Sequence, residues 1–179
     1  MAAAVDIGSR EGLEMLSIGR LADQVEVSKS GLFAHFGSKE ELQLATVEAA
    51  RDIFIREVIE PSAGTDQGLP RLRRVVELWL SYLERDVFPG GCFFQAASLE
   101  FDGRDGPVRD RVVEIMGQWL GLLEVLVTQA GLGGAEPKQL AFEINAIGLA
   151  TNWQRQLLGD RDAVMRGRRA FAHLLGAGR

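Results

Sequence analysis

One short segment near the N-terminus, residues 28–39, constrains the fold more than any other part of the chain. It reads Ser-Lys-Ser-Gly-Leu-Phe-Ala-His-Phe-Gly-Ser-Lys. Ser28 is a good N-cap for a short helix. Ser38, with Glu41 three residues later, has the spacing of a capping box that starts the next helix. Because the helix between these caps is too short to form a core, its size favours a helix that presents side chains to a partner.

The segment before it predicts a second short helix. Ser17 precedes apolar residues at helical spacing, namely Ile18, Leu21, Ala22 and Val25,. Glu26 and Val27 then lead directly into Ser28. Two short helices joined by a tight turn, with a small residue where they cross, form a helix-turn-helix, whose second helix can enter a DNA major groove.

A larger set of residues in this region has a familiar order and spacing. The set comprises Gly12, Ser17, Leu21-Ala22, Val27-Ser28-Lys29, Leu32-Phe33, His35-Phe36, Ser38-Lys39 and Leu42. It resembles the N-terminal domain of the TetR (tetracycline repressor) family of transcriptional regulators, over residues 1–56. The rest of the chain is similar to the family in its helical character and its length. The resemblance implies a helix-turn-helix domain of three helices, followed by a helical domain for ligand binding and dimerisation.

The chain departs from the family pattern at two positions. Glu26 stands where the turn usually has a glycine, and Phe33 stands where a phosphate-contacting tyrosine is usual. If position 26 needs a positive φ, a residue other than glycine costs about 1 kcal/mol there. Phe33 has no hydroxyl group to donate to a phosphate.

The second and third helices should carry the DNA contacts. The first turn of the third helix has free amides and a dipole that favour phosphate. The resemblance places contacts to the DNA backbone at His35 and Lys39. Phe33 could touch a sugar or a thymine methyl group, or it could belong to the core, whereas Leu32 and Phe36 should be core residues. The predicted DNA-binding residues are Ser17, Ser28, Lys29, Ser30, Gly31, Phe33, His35 and Lys39.

The charge balance opposes DNA binding, since phosphate neutralisation supplies much of the affinity of DNA-binding proteins. The net charge is −5, and residues 1–60 hold 6 Lys/Arg against 11 Asp/Glu. Between Ser17 and Lys39, however, three basic residues outnumber the two acids, and the other acids concentrate on the following helix. We therefore expect a locally basic surface, and further basic residues before Met1.

Apolar periodicity and helix breakers predict an all-α chain of about nine helices. The predicted ranges are 2–9, 18–25, 28–35, 39–59, 70–86, 92–101, 107–130, 137–158 and 161–175. Gly131-Leu132-Gly133-Gly134 should break the seventh helix. The Gly/Pro-rich stretch 62–70 is the best boundary. It divides a DNA-binding domain, 1–60, whose fourth helix is the link, from a ligand-binding and dimerisation domain, 61–179.

The second domain is rich in aromatic residues, which could simply form its core. Several buried Trp and Tyr side chains must nevertheless find polar partners, and aromatic cavities with a few polar groups are usual sites for small molecules. The predicted lining residues are Trp79, Tyr82, Phe94, Gln95, Trp119, Asn145 and Asn152. Because few charges lie in these stretches, a small, largely apolar effector is expected.

The last two helices carry apolar faces that could be core or could pair with a second copy. In the family that the chain resembles, this pairing would form a four-helix homodimer interface. The predicted interface residues are Leu140, Ile144, Ile147, Thr151, Val164, Phe171 and Leu174.

Other classes of function find little support in the sequence. The two histidines, His35 and His173, are far apart, and neither a nucleophile elbow nor a cofactor fingerprint is present,. We therefore predict no enzyme, no metal and no cofactor. Cys92 is the only cysteine, which fits a reducing cytoplasm,. The absence of a signal peptide and of a long uninterrupted apolar run predicts a cytoplasmic protein without a membrane partner.

The sequence therefore predicts a ligand-responsive regulator, a repressor that binds a palindromic operator in double-stranded DNA and releases it when the effector binds. The alternative is a helical ligand-binding or interaction module without DNA binding, a reading that the acidic N-terminal region, Glu26 and Phe33 support.

Overall fold

The structure, a computed structural model, describes residues 1–132 and 136–176. Within these ranges it contains nine α-helices and no strand, which confirms the predicted all-α class. Gly131 follows the seventh helix with φ 61°, whereas Gly133 and Gly134 lie outside the described residues. The helices are α1 (Ala2–Glu11), α2 (Ile18–Val25), α3 (Lys29–Phe36), α4 (Lys39–Phe54), α5 (Leu69–Glu84), α6 (Phe93–Phe101), α7 (Pro107–Ala130), α8 (Pro137–Leu157) and α9 (Ala163–Leu174).

Serine caps begin the three helices that were predicted around the helix-turn-helix. The Ser17 hydroxyl accepts from the Arg20 amide at 3.1 Å, and the Ser28 hydroxyl accepts from the Gly31 amide at 3.1 Å. Ser38 accepts from the Glu41 amide at 3.0 Å. Each cap satisfies one of the amides that a helix start leaves without a partner. The boundaries in this region were predictable because the capping residues are local signals.

The end of α4 departs from regular α-helix. A π-helical turn, Ile55–Ile59, follows it, and a 3-10 turn, Glu60–Ser62, comes next. Pro61 lies in the second turn. Because its ring would clash with a carbonyl one α-helical turn earlier and it has no amide hydrogen, the regular ladder cannot continue through it. The predicted helix 39–59 is thus one continuous helical segment whose last turn widens.

The chain forms two compact units. The first comprises Met1–Ile53 with Phe88–Met116, and the second comprises Phe54–Val87 with Gly117–Arg179. In the first unit, α1 packs on α2 and α6, and α2 packs on α3. Its segment Phe88–Met116 lies beyond the predicted domain boundary at residue 60. The division into residues 1–60 and 61–179 therefore stays a prediction about function.

The core of the first unit depends on a close approach between its two segments. A Cβ on Gly90 would lie 1.7 Å from the Ser9 carbonyl oxygen, so this position requires glycine. Phe93 is 1% exposed and packs against Gly8. The other buried apolar residues of this unit include Val5, Ile7, Leu13, Leu16, Leu21, Leu42, Val47 and Phe101.

In the second unit α5, α8 and α9 pack on one another. Two arginines bind the C-terminal half of α5 and the residues that follow it. Arg155 donates to the carbonyl oxygens of Leu83 and Glu84 and pairs with Asp86 at 2.6 Å. Arg168 pairs with both Glu77 and Glu84. The buried apolar residues of this unit include Val58, Leu72, Val76, Leu80, Leu83, Leu123, Leu126, Ile144, Val164 and Phe171.

Among the described residues, α7 is long and apolar enough to cross a membrane by length and composition alone. The core helix of a globular protein passes the same test. One face of α7 carries buried residues at helical spacing, Val112, Ile115, Trp119, Leu123 and Leu126, as a core helix does,.

Candidate nucleic-acid interface and aromatic cluster

The turn between α2 and α3 adopts a left-handed conformation. Glu26 has φ 54° and ψ 40°, and its amide donates to the Ala22 carbonyl oxygen. The Val27 amide also donates to this oxygen, at 3.2 Å. The position at which the family usually has a glycine therefore has a positive φ in this chain, and the glutamate adopts it at a conformational cost of about 1 kcal/mol.

Helix α3 lies on the surface, and none of its residues is buried. Leu32 and Phe36 are only half-buried, so their prediction as core residues holds in part. Phe33 is 59% exposed. Of the two roles open to Phe33, this exposure favours the DNA-facing one. His35 is also exposed, and its ring packs edge-on against Phe36 at 4.5 Å.

The first turn of α3 brings together four predicted DNA-binding residues. The Ser28 hydroxyl accepts a hydrogen bond from the Gly31 amide and lies 3.4 Å from the Ser30 hydroxyl. Lys29 is exposed, and its side chain passes over Gly19 at the start of α2, where a Cβ would lie 3.3 Å from the Lys29 Cε. Ser17 is already engaged as the cap of α2. The arrangement presents a cation and polar groups at one helix start, as a phosphate-binding surface requires.

Lys39 has a partner that sequence reasoning missed. Its ammonium group lies 2.6 Å from the Glu14 carboxylate, and Arg104 lies 2.7 Å from the other Glu14 oxygen. The Lys39 hydrogen bond is the main cause that lowers the pKa of Glu14, and Arg104 adds to it. Because these residues are far apart in sequence, no local pattern could have indicated this cluster.

Glu100 holds the chain segment that carries Glu14. Its two carboxylate oxygens accept from the backbone amides of Leu13 and Glu14 at 2.7 and 2.8 Å. The Leu13 carbonyl oxygen accepts from the buried Gln43 side chain at 2.8 Å. Both ends of the Leu13 peptide unit are thus fixed, and the Glu14 side chain starts from a well-defined backbone.

In the second unit, three of the predicted effector-site residues meet in an aromatic cluster, which we define as Phe54, Trp79, Tyr82 and Trp119. Trp119 lies edge-on to Trp79 at 5.0 Å and to Phe54 at 5.3 Å, and Phe54 lies edge-on to Tyr82 at 5.4 Å. Such edge-on pairs are the favoured aromatic geometry. Sequence reasoning missed Phe54, which contacts both Tyr82 and Trp119, because it lies in the predicted linking helix 39–59.

The polar groups around the aromatic cluster differ in their bonding. The Trp119 indole N–H donates to the Asn145 side-chain oxygen at 3.1 Å. The Trp79 indole N–H is buried and has no acceptor within the described part of the chain. Asn152 is buried as well. Phe94 and Gln95 belong to the first unit, so a single pocket lined by all seven predicted residues stays a prediction.

Most of the predicted dimer residues are enclosed within a single protomer. Five of the seven, Leu140, Ile144, Thr151, Val164 and Phe171, are buried within the second unit, and Ile147 and Leu174 are half-buried. Because enclosed side chains offer little surface to a second copy, an interface through these residues stays a prediction. The opposite face of α8 is the exposed one, with Phe142 64% exposed, Trp153 47% and Leu157 68%. Both faces are apolar, so periodicity alone could not distinguish them.

Within residues 1–132 and 136–176, no three His, Cys, Asp or Glu side chains form a group that could hold a metal ion. Cys92 is buried.

A capped surface helix after a left-handed turn, with a cation at its start, defines this chain as a helix-turn-helix protein. The family described as "Tetracyclin repressor-like, C-terminal domain" matches residues 68–171, and that described as "Bacterial regulatory proteins, tetR family" matches residues 1–46. The chain belongs to the TetR family of transcriptional regulators, as its N-terminal residues predicted.

Individual relatives agree with this assignment. The chain is 32% identical over 84 residues to the HTH-type transcriptional activator FasR of Mycolicibacterium smegmatis, a match that covers 47% of this chain and 38% of FasR. It therefore spans less than half of the length of that curated relative. A TetR regulator from Chloroflexus aurantiacus has a TM-score of 0.85 at 23% identity, over 98% of this chain and 89% of its own. AibR in complex with isovaleryl coenzyme A and operator DNA has a TM-score of 0.69 at 20% identity, over 86% and 84%.

Proposed function

We propose that the chain is a ligand-responsive transcriptional repressor that binds a palindromic operator in double-stranded DNA as a cytoplasmic homodimer. The observation that carries the proposal is the exposure of α3. Its apolar residues Leu32 and Phe36 are only half-buried, and Phe33 and Lys29 are exposed. Such a helix has side chains available to contact a partner. In a dimer, two such helices would enter successive major grooves about one helical turn apart.

The DNA contacts divide into two kinds. Lys29, Ser30 and Phe33 would face the groove, where they can reach base edges and methyl groups. The remaining predicted residues would approach the DNA backbone, from side chains or from the main chain at the helix starts. They are Ser17, Ser28, Gly31, His35 and Lys39. The absence of a hydroxyl group on Phe33 removes one phosphate contact and leaves an apolar contact to sugar or a thymine methyl group.

The exposed face of α8 supports the homodimer. Phe142, Trp153 and Leu157 recur along one side of the helix, and water-exposed apolar stripes of this kind mark interaction sites,. A second copy supplies the matching stripe by symmetry, since a two-fold interface uses the same surface on both partners.

The aromatic cluster supports an apolar effector. No charged side chain is among the buried residues of the described chain, so a buried anionic group would lack a counter-charge. The buried Trp79 N–H would donate to an acceptor on the effector. In AibR the bound molecule is an acyl thioester of coenzyme A; for this chain we propose that a small acyl or aromatic group enters and that any anionic part stays outside.

The effector would act through its difference in affinity between two states of the protein. In one of these states, the distance between the two α3 helices of the dimer, the recognition helices, would not match the operator. Because FasR is named an activator, the direction of regulation needs its own test. A reporter gene behind the bound operator should be silenced by the protein and released by the effector.

A footprint on the DNA flanking the gene of this protein tests the proposal. Two protected half-sites about one turn apart are expected, together with their loss when an apolar compound raises the melting temperature and quenches tryptophan fluorescence. If no DNA fragment is protected while apolar compounds still bind, the chain is the alternative, a ligand-binding module without DNA binding.

A further inference from the structure

We propose that Glu14 is an internal competitor of the DNA phosphate for Lys39, and that Arg104 retains the Glu14 carboxylate when Lys39 moves to DNA. This inference rests on the proposed function, because it concerns the residue that we place on the DNA backbone. It assigns Glu14 and Arg104, both of which lie outside the helix-turn-helix segment 17–39, as residues that set the affinity for DNA.

The geometry places one carboxylate between two cations. Glu14 Oε1 lies 2.6 Å from Lys39 Nζ, and Glu14 Oε2 lies 2.7 Å from Arg104 Nη1. The three side chains are 40%, 42% and 45% exposed for Glu14, Lys39 and Arg104 respectively. A phosphate can therefore reach Lys39 from solvent, but it meets a cation that already has an anionic partner.

The same arrangement recurs at the neighbouring helix start. Arg20, in the first turn of α2, donates to both oxygens of Glu11, at 3.0 and 2.5 Å. Of the three basic residues between Ser17 and Lys39, two are thus paired with acids, one at the end of α1 and one in the segment that follows it. Lys29 makes no ion pair within the described residues. The local excess of basic residues in the sequence is therefore largely balanced in the folded domain.

Two features make Glu14 a better competitor for phosphate than Glu11. Its backbone amide and that of Leu13 are held by Glu100, so the side chain remains beside Lys39 without ordering a free loop. Arg104 offers the carboxylate an alternative partner when Lys39 leaves it. When DNA binds, a phosphate replaces Glu14 at Lys39, and Glu14 stays paired with Arg104. None of these charged groups is left without a partner.

The size of the effect follows from the exposure of the pair. A half-exposed ion pair contributes at most about a fivefold factor to an equilibrium, so removal of the competitor should strengthen DNA binding by up to about fivefold for each recognition helix. Removal of Arg104 should have the opposite sign, because Glu14 would then belong to Lys39 alone.

The test compares Glu14→Gln with Glu40→Gln in the full chain, on a random-sequence DNA duplex and on the selected operator. Both variants remove one negative charge from the first unit, but Glu40 makes no ion pair within the described residues. We expect Glu14→Gln to strengthen binding to both duplexes by several-fold more than Glu40→Gln does. In a Lys39→Ala background this excess should disappear. Arg109→Gln is the matched control for Arg104→Gln. In the wild-type background, Arg104→Gln should weaken DNA binding more than this control does. In the Glu14→Gln background, it should weaken DNA binding no more than the control does.

The outcomes separate the two claims. If wild-type protein binds DNA and Glu14→Gln gains no more than Glu40→Gln, or keeps its excess gain without Lys39, the competitor role of Glu14 is refuted and the proposed function stands. If neither wild-type nor any variant binds either duplex at low salt, the proposed function fails and this inference fails with it. Thermal unfolding of each variant shows whether a loss of binding is a loss of folding.

Discussion

Gly148 lies directly against the indole ring of Trp79. A Cβ at this position would come within 1.9 Å of the ring atom Cη2 and within 2.2 Å of Cζ3. The absence of a side chain at Gly148 therefore lets α8 approach α5 at the place where the aromatic cluster begins. A helix-interior glycine usually lowers stability, and here that cost secures the position of a large aromatic ring.

Replacement of Gly148 by alanine should lower the free energy of unfolding by about 1–3 kcal/mol, the usual cost of overpacking a core. Trp79→Phe removes the outer indole ring and should restore part of the loss in the double variant. Gly121→Ala is the matched control, because a Cβ there meets nothing within 4 Å. It should raise stability by about 0.5–1 kcal/mol. Denaturant unfolding that finds Gly148→Ala as stable as Gly121→Ala would contradict the close packing.

Glu26→Gly should raise the free energy of unfolding by about 0.5–1 kcal/mol, because it removes the cost of a left-handed residue and retains the turn. The control is Asp86→Gly, at the second non-glycine residue with a positive φ among those that the structure describes, 49°. Asp86 pairs with Arg155, so its replacement should give no gain. Equal effects of the two substitutions in thermal unfolding would show that backbone conformation does not explain them.

Charged residues on the exposed face of α8 should produce monomers. Phe142→Glu combined with Trp153→Glu removes the proposed interface, and both side chains already contact water in one protomer, so the fold should survive. Sedimentation should show monomers with an unchanged helical circular dichroism spectrum. Met15→Glu, at a residue 63% exposed in the first unit, should remain a dimer. A double variant that still sediments as a dimer would place the interface elsewhere.

The pair between Glu48 and Arg111 should make stability depend on pH. The Arg111 hydrogen bond holds the pKa of Glu48 below its ordinary value in the folded state. The pair therefore stabilises the fold above the ordinary carboxyl pKa of about 4.3, and this contribution is lost as the pH falls through the lowered folded pKa. Because the pair is half-exposed, we expect Glu48→Gln to cost at most about 1 kcal/mol at neutral pH.

This difference between wild-type and Glu48→Gln should vanish in acid. In an Arg111→Gln background, Glu48→Gln should have no such pH-dependent effect. Unfolding measured from neutral to acid pH tests this, and a difference that grows as the pH falls would have the wrong sign.

The helix boundaries were predictable from the sequence because local signals determine them. Serine caps, prolines and glycines defined the nine helices to within a few residues, and α2 and α7 were predicted with the bounds that the structure has. The left-handed turn at Glu26 was predictable because the chain there resembles a family that uses glycine.

Features that depend on distant residues were not predictable. The ion pair of Lys39 with Glu14 joins the start of α4 to the segment between α1 and α2. Phe54 enters the aromatic cluster through the packing of the second unit. The exposed side of α8 was not predictable, because that helix is apolar on both sides and only the fold reveals which side is already covered.

The central claim is that α3 and the start of α4 bind DNA, and a salt titration of DNA affinity tests it most directly. Fluorescence anisotropy would follow wild-type and Lys39→Ala on the selected operator and on a random duplex. We predict that wild-type affinity falls linearly on a log–log scale with salt. Lys39→Ala should weaken binding to both duplexes about equally and reduce the slope by about one for each protomer, since a phosphate contact carries no sequence information. Wild-type protein that binds neither duplex at low salt, or a Lys39→Ala variant with an altered sequence preference and an unchanged slope, would contradict the account.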